Sequence, residues 1–100
     1  MRTIYLSGPM TGLPHHNFPK FQAATKNLRE AGHSVWSPHE YAERVGINDF
    51  DFRKAFEIYT SFICTHADTI AMLPGWERSV GARAEHALAA AIDLDFMYLK

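Results

Sequence analysis

Four short apolar runs alternate with helix-length amphipathic stripes, and that alternation leaves few architectures open to this chain. Residues 3–7 form a β-favouring run stopped by Gly8-Pro9. After a loop over residues 8–17, Phe18, Phe21, Thr25, Leu28 and Ala31 fall at helical spacing, with Asn17 as N-cap, Pro19 in the first turn and Gly32 past the end. A helix is expected over residues 18–31 and a second strand over residues 33–37, ended by Pro38. The stretch 39–49 reads as polar and irregular, with at most a short helical turn. Phe52, Ala55, Phe56, Tyr59, Phe62 and Ile63 make the stripe of a second long helix that starts at Asp49 or Asp51 and ends near His66. Residues 68–73 form a third strand, apolar on both faces as a central parallel strand should be. A third helix follows Ser79, with Val80, Ala84, Ala87, Leu88, Ala91 and Ile92 as its expected apolar stripe, and residues 95–99 form the last strand. The order β-α-β-α-β-α-β predicts one α/β domain over residues 1–100. Its sheet is mostly parallel, with helices on both faces and right-handed crossovers. The loops after the first and third strands then meet at one edge of the sheet.

Composition narrows the partners. The formal net charge is −1 and the basic residues are scattered, which gives no reason to expect a nucleic-acid polymer or a membrane surface as partner. The single cysteine, Cys64, allows no internal disulfide and fits a reducing cytoplasm. It reads as a small buried hydrophobe. No apolar run is long enough for a bilayer, and the N-terminus reads as a first strand rather than a signal peptide. A chain of 100 residues buries a modest core, so oligomerisation is a reasonable supplement.

The chemistry concentrates in Leu73-Pro74-Gly75-Trp76-Glu77-Arg78-Ser79-Val80-Gly81-Ala82-Arg83-Ala84-Glu85. This is a strand end, a tight turn and a helix start, and ligands of open parallel sheets bind beyond the carboxyl ends of the strands. The helix start offers free N–H groups and a positive dipole end to an anion. Ser79 stands as N-cap. Glu85 leans back over Gly81 and Ala82, whose small size lets another molecule approach the carboxylate. A purely structural helix gains nothing from Gly81, which costs about 1 kcal/mol relative to alanine. Trp76 can stack on a planar ring or cover the core. Tyr5, on the first strand, needs a polar partner if buried. The glycine-rich loop Gly8-Pro9-Met10-Thr11-Gly12 is a candidate binding loop, but it is neither a Walker loop nor a dinucleotide fingerprint. None of the six histidines falls in a metal signature; no metal is expected, and the reading of this site implies no organic cofactor. Asp68 reads as structural, and Asp49 and Asp51 as helix-start residues.

Tyr5-Leu6-Ser7-Gly8-Pro9-Met10-Thr11-Gly12, Asn17-Phe18-Pro19-Lys20-Phe21 and residues 73–85 together resemble a family of small phage and bacterial proteins, itself similar to a compact branch of the nucleoside 2-deoxyribosyltransferase superfamily. The resemblance implies a three-layer flavodoxin-like parallel sheet. It also implies cleavage or transfer of an N-glycosidic bond on a nucleoside or nucleotide. Glu85 then matches the nucleophile, Tyr5 a tyrosine near the sugar, Ser79 a serine on the 5′-phosphate, and residues 8–11 the loop around phosphate or sugar. Gly12, Asn17, Trp76 and Gly81 complete the expected substrate-binding set, and a homodimer or larger homo-oligomer is implied. Two features depart from the pattern. Thr11 stands where the phosphate-specific hydrolases carry an arginine, and Tyr59-Thr60-Ser61 contains no acid where the superfamily places an aspartate. The first departure bears on recognition of a monophosphate; the second, the missing acid, supports an alternative, a protein that binds a nucleotide or nucleotide-derived signal in the same pocket without cleaving it.

Overall fold

Residue parity along the first strand, β1 (Thr3–Ser7), divides the interior in two, because successive strand side chains point to opposite faces. The computed structural model describes residues 1–100, apart from the side chain of Ile47. On one face Ile4 and Leu6 pack with Ala71, Leu73 and Phe21, the last from α1 (Phe18–Glu30). On the other, Tyr5 packs with Ile70 and Met72 of β3 (Thr69–Met72), with Ala55, Tyr59 and Ile63 of α3 (Phe52–Thr65), and with Ala82 and Ala89 of α4 (Val80–Ala91). With β2 (Ser34–Trp36) and β4 (Asp95–Tyr98), the strands form one parallel sheet in the order β2-β1-β3-β4. The result is a three-layer, flavodoxin-like α/β fold. Among the described residues no helix is long and apolar enough to cross a membrane.

The chain runs from β1 outward to β2, then returns across β1 to β3 and β4. The connections therefore diverge at the β1–β3 pair, which is the topological switch point. Ser7 pairs with Met72, and the next amide, Leu73 N, donates to the Ser7 carbonyl at 2.8 Å. The two strands thus end level, and their loops leave side by side. A Cβ added to Gly8 would lie 2.7 Å from the Leu73 Cβ, so glycine is required for this approach.

Four expectations from the sequence need correction. Residues expected to be irregular form α2 (Pro38–Val45), because Pro38 both ends β2 and occupies the helix start, where a missing N–H costs nothing. This helix links the two layers: His39 packs against Phe18 and Phe21 of α1, and Tyr41 meets Tyr59 of α3 edge-on. Asn17 precedes α1 but does not cap it; its φ is 61°, and its side-chain amide donates to the Pro9 carbonyl at 2.8 Å. The expected stripe on α4 largely faces outward, with Val80 75% exposed and Ile92 40% exposed. The inward residues are Ala82, Glu85 and Ala89, whose small neighbours bring the helix close enough for a carboxylate to reach β1. Cys64 is exposed rather than buried, one position beyond the inward Ile63. Strand and helix ends otherwise fall within two residues of expectation. Asp68 is structural as expected, accepting from the Thr3 amide and the Thr69 hydroxyl.

Gly8→Ala should destabilise the fold by about 1–3 kcal/mol through forced separation of the β1 and β3 loops. Urea unfolding checks this, and a loss under about 0.5 kcal/mol would show that the loops part freely.

Candidate active site

Tyr5 and Ser7 are alternate residues of β1 and face the same layer, so both hydroxyls point toward the helix that follows β3. That helix opens at Ser79, whose backbone is extended and whose Oγ accepts from the Ala82 amide at 3.1 Å. Six residues later Glu85 faces inward. Tyr5 Oη donates to Glu85 Oε2 at 2.7 Å, and Ser7 Oγ donates to Oε1 at 2.6 Å. Each carboxylate oxygen thus has one strong donor, and one lone pair on each is left for something else.

Glu85 is only 6% exposed. Burial pushes its carboxyl up to about 7, and the hydrogen bonds from Ser7 and then Tyr5 oppose that rise without overcoming it. Tyr5 is fully buried. Burial first, and then the Glu85 charge, hold its phenol well above the usual range, so it stays a neutral donor. The site is a carboxyl poised near neutrality with its hydrogen-bond donors already in place.

The carboxyl borders a cleft of about 730 Å³ at the switch point. One wall is the first loop. Another is the turn after β3, where Gly75 has φ 89° and sits against Pro9. The third comes from α3, through Phe52 and Tyr59, and the floor is the α4 start with Glu85. A shallower hollow of about 450 Å³ between α1 and α2 is lined largely by charged side chains, among them Arg29 and Glu40, which are paired with each other.

The structure gathers most of the expected site residues. Gly8, Pro9, Met10, Thr11, Asn17, Ser79, Gly81 and Glu85 all line the cleft. Three do not. Tyr5 lies behind Glu85 and acts on the cleft only through it. Gly12 is exposed, with nothing near its Cβ direction, and is not part of the wall. Trp76 stacks on His86 with ring centroids 4.2 Å apart, because the short 3₁₀ turn Trp76–Arg78 directs it along α4, away from the cleft. The space over Gly81 is also partly filled: a Cβ there would lie 3.3 Å from Phe52 Cζ, so the missing side chain admits this protein's own aromatic ring.

Sequence reasoning did not find Lys20, Arg78, Phe52 or Tyr59 as lining residues. Lys20 left a trace, since a lysine in a helix's first turn opposes the dipole and invites a reason for being there. Arg78 lay inside the motif, one residue before the cap. Phe52 and Tyr59 were indistinguishable from core residues of an amphipathic stripe. Among the described residues neither Lys20 nor Arg78 is engaged in a salt bridge. Among the described residues lining the cleft, Glu85 is the only acid; Asp51 is used in capping α3. Among the described residues no three His, Cys, Asp or Glu side chains converge as a metal would require.

A family model described as "Domain of unknown function (DUF4406)" matches residues 2–98, and the chain belongs to that family. No curated protein matches it.

The raised carboxyl predicts a pH dependence of stability. An ordinary glutamate ionises near 4.5 and this one near 7, so the fold is most stable below about pH 4.5 with respect to Glu85. It loses about 3 kcal/mol as pH rises to about 7, and nothing more above that. Glu85→Gln removes the term, since a carboxamide can accept from one hydroxyl and donate to the other. The variant should melt higher than wild type at pH 8 and alike at pH 4.5; equal melting temperatures at both values would show that the carboxyl is not desolvated.

Proposed function

We propose that this DUF4406 protein cleaves or transfers the N-glycosidic bond of a nucleoside or nucleotide, with Glu85 as nucleophile. One observation carries the reading: a single buried carboxylate, held by two hydroxyls, faces the switch-point cleft beside a helix start. The sequence resemblance to the nucleoside 2-deoxyribosyltransferase superfamily supports the same assignment.

In this reading the sugar lies over Glu85 with its base directed away. The carboxylate attacks the anomeric carbon from the face opposite the base, through an oxocarbenium-like transition state. The carbon–nitrogen bond breaks as the carbon–oxygen ester bond forms. The electron pair leaves with the base, which takes a proton from water. Water, or a second base, then attacks the same carbon and the ester oxygen departs, restoring the carboxylate. Ser7 and Tyr5 are positioning residues that fix the attacking oxygens.

The α4 N-terminus with Ser79, the first loop, Lys20 and Arg78 form the clamp for a phosphate or for the ribose. The two cations offset the absence of an arginine at position 11. A cytoplasmic setting and a homo-oligomer belong to the same reading, the latter supported by exposed Val80 and Phe52 beside the cleft.

A second reading is favoured by one observation. No other acid among the described residues lines the cleft to protonate the departing base, which suits a protein that binds a nucleotide without cleaving it.

Incubation with a panel of nucleosides and nucleotides separates the two readings. Free base in the chromatogram supports the enzyme, and thermal stabilisation without product supports the binder. For the enzyme, Glu85→Gln should lower base release by about a thousandfold or more. The carboxyl must be ionised to attack, so the wild-type rate should rise about tenfold per pH unit up to about pH 7 and then level off. Base release by Glu85→Gln at the wild-type rate sinks the assignment.

A further inference from the structure

Tyr59 lines the same cleft as Glu85, is 4% exposed, and carries a buried hydroxyl with no hydrogen-bond partner. Buried polar groups are nearly always paired, and phenylalanine would fill the same aromatic space without an orphaned hydroxyl. The ring is fixed by three neighbours: Trp36 edge-on at 5.4 Å between centroids, Tyr41 edge-on at 5.7 Å, and Tyr5 tilted at 6.3 Å. It cannot turn away to find a partner without breaking that packing.

The neighbours also fix which part of a ligand it meets. Tyr5 holds Glu85 Oε2, and Tyr59 packs against Tyr5, so Tyr59 stands on the nucleophile's side of the cleft. Burial, then the Glu85 charge, keeps its phenol protonated, so it is available as a donor at neutral pH. In the proposed pose the base leaves from the opposite face of the sugar, so the sugar is the part of such a ligand nearer to Tyr59.

We infer that the Tyr59 hydroxyl donates a hydrogen bond to a hydroxyl of the ligand's sugar and orients the anomeric carbon over Glu85. This rests on the reading of the cleft as a nucleoside or nucleotide site. It assigns sugar orientation to a neutral phenol on α3, in the stretch where the chain offers no carboxylate. No covalent step passes through Tyr59.

The experiment compares wild type, Tyr59→Phe and Glu85→Gln against ribonucleotides, 2′-deoxynucleotides and 2′,3′-dideoxynucleotides, by thermal shift and base release. Without ligand, Tyr59→Phe should melt at or above the wild-type temperature. Wild-type affinity should fall about tenfold on removal of one sugar hydroxyl. Tyr59→Phe should bind the complete sugar about tenfold more weakly and be indifferent to that removal. A merely structural role would weaken all three ligands alike. The inference is overturned if Tyr59→Phe equals wild type on every ligand, if its losses are the same with and without each hydroxyl, or if it is markedly less stable unliganded. If no member of the panel shifts or is cleaved by wild type, the nucleotide reading itself fails and this inference falls with it. Ligand binding by wild type with an unchanged Tyr59→Phe sinks the tyrosine assignment alone.

Discussion

The contact between α4 and β1 runs through a carboxyl group, and much of the local design follows from keeping that group buried. Burying a carboxylate is costly, and two hydroxyl donors offset only part of the cost, which is why Glu85 sits near neutrality rather than fully ionised. Tyr5 and Ser7 must be two apart on one strand to reach both oxygens. Ala82 and Ala89 must be small for α4 to come near enough. A helix chosen for stability alone would place leucine or isoleucine at such inward positions; here an acid takes the place, while Val80 and Ile92 face out and Leu88 packs at the edge of the core.

The sheet supplies the rest of the geometry. Because β1 and β3 are paired in register and end together, the Gly8 loop and the Pro74-Gly75 turn emerge in contact, and the α4 start lies beside both. The two hydrophobic clusters fix this arrangement from opposite faces, one through Phe21 of α1 and the other through Tyr59 and Ile63 of α3. The cleft is therefore assembled from segments far apart in the chain but adjacent at one edge of the sheet. Its cations enter from two different segments, Lys20 from the first turn of α1 and Arg78 from the end of the 3₁₀ turn ahead of α4.

The legibility of these features in the chain differed by physical kind. Most local signals held, although Asn17 precedes α1 without capping it. Strand runs bounded by Gly-Pro, the Ser79 cap and the stripe on α3 each depend on neighbouring residues, and the structure contains them. Glu85 was legible because a strand, a turn, a cap and a glycine converge just ahead of it. Features set by tertiary contact were not legible. Helix α2 was hidden because Pro38 signals a stop and a start alike. The inward face of α4 was misjudged because hydrophobicity alone favours Val80, whereas pairing with Tyr5 and Ser7 rotates Glu85 inward. Trp76 looked like a ligand platform until its stacking on His86 was visible. Tyr59 belonged to an apolar stripe, and nothing local marks a hydroxyl that finds no partner.

The first loop has a consequence for how the cleft would receive a molecule. His15, His16 and Asn17 hold φ values of 51°, 54° and 61°, a conformation that L-residues adopt at some cost, and Asn17 ties back to the Pro9 carbonyl. Amides of Leu13 and His16 close further turns onto Met10 and Leu13. Ordering a residue costs roughly 1–2 kcal/mol of backbone entropy, and in this segment the cost is met during folding rather than on encounter. Such a wall behaves as a template. For the ligand proposed above it would select by shape at the moment of contact, and a molecule that does not match would gain little from waiting for the wall to adapt.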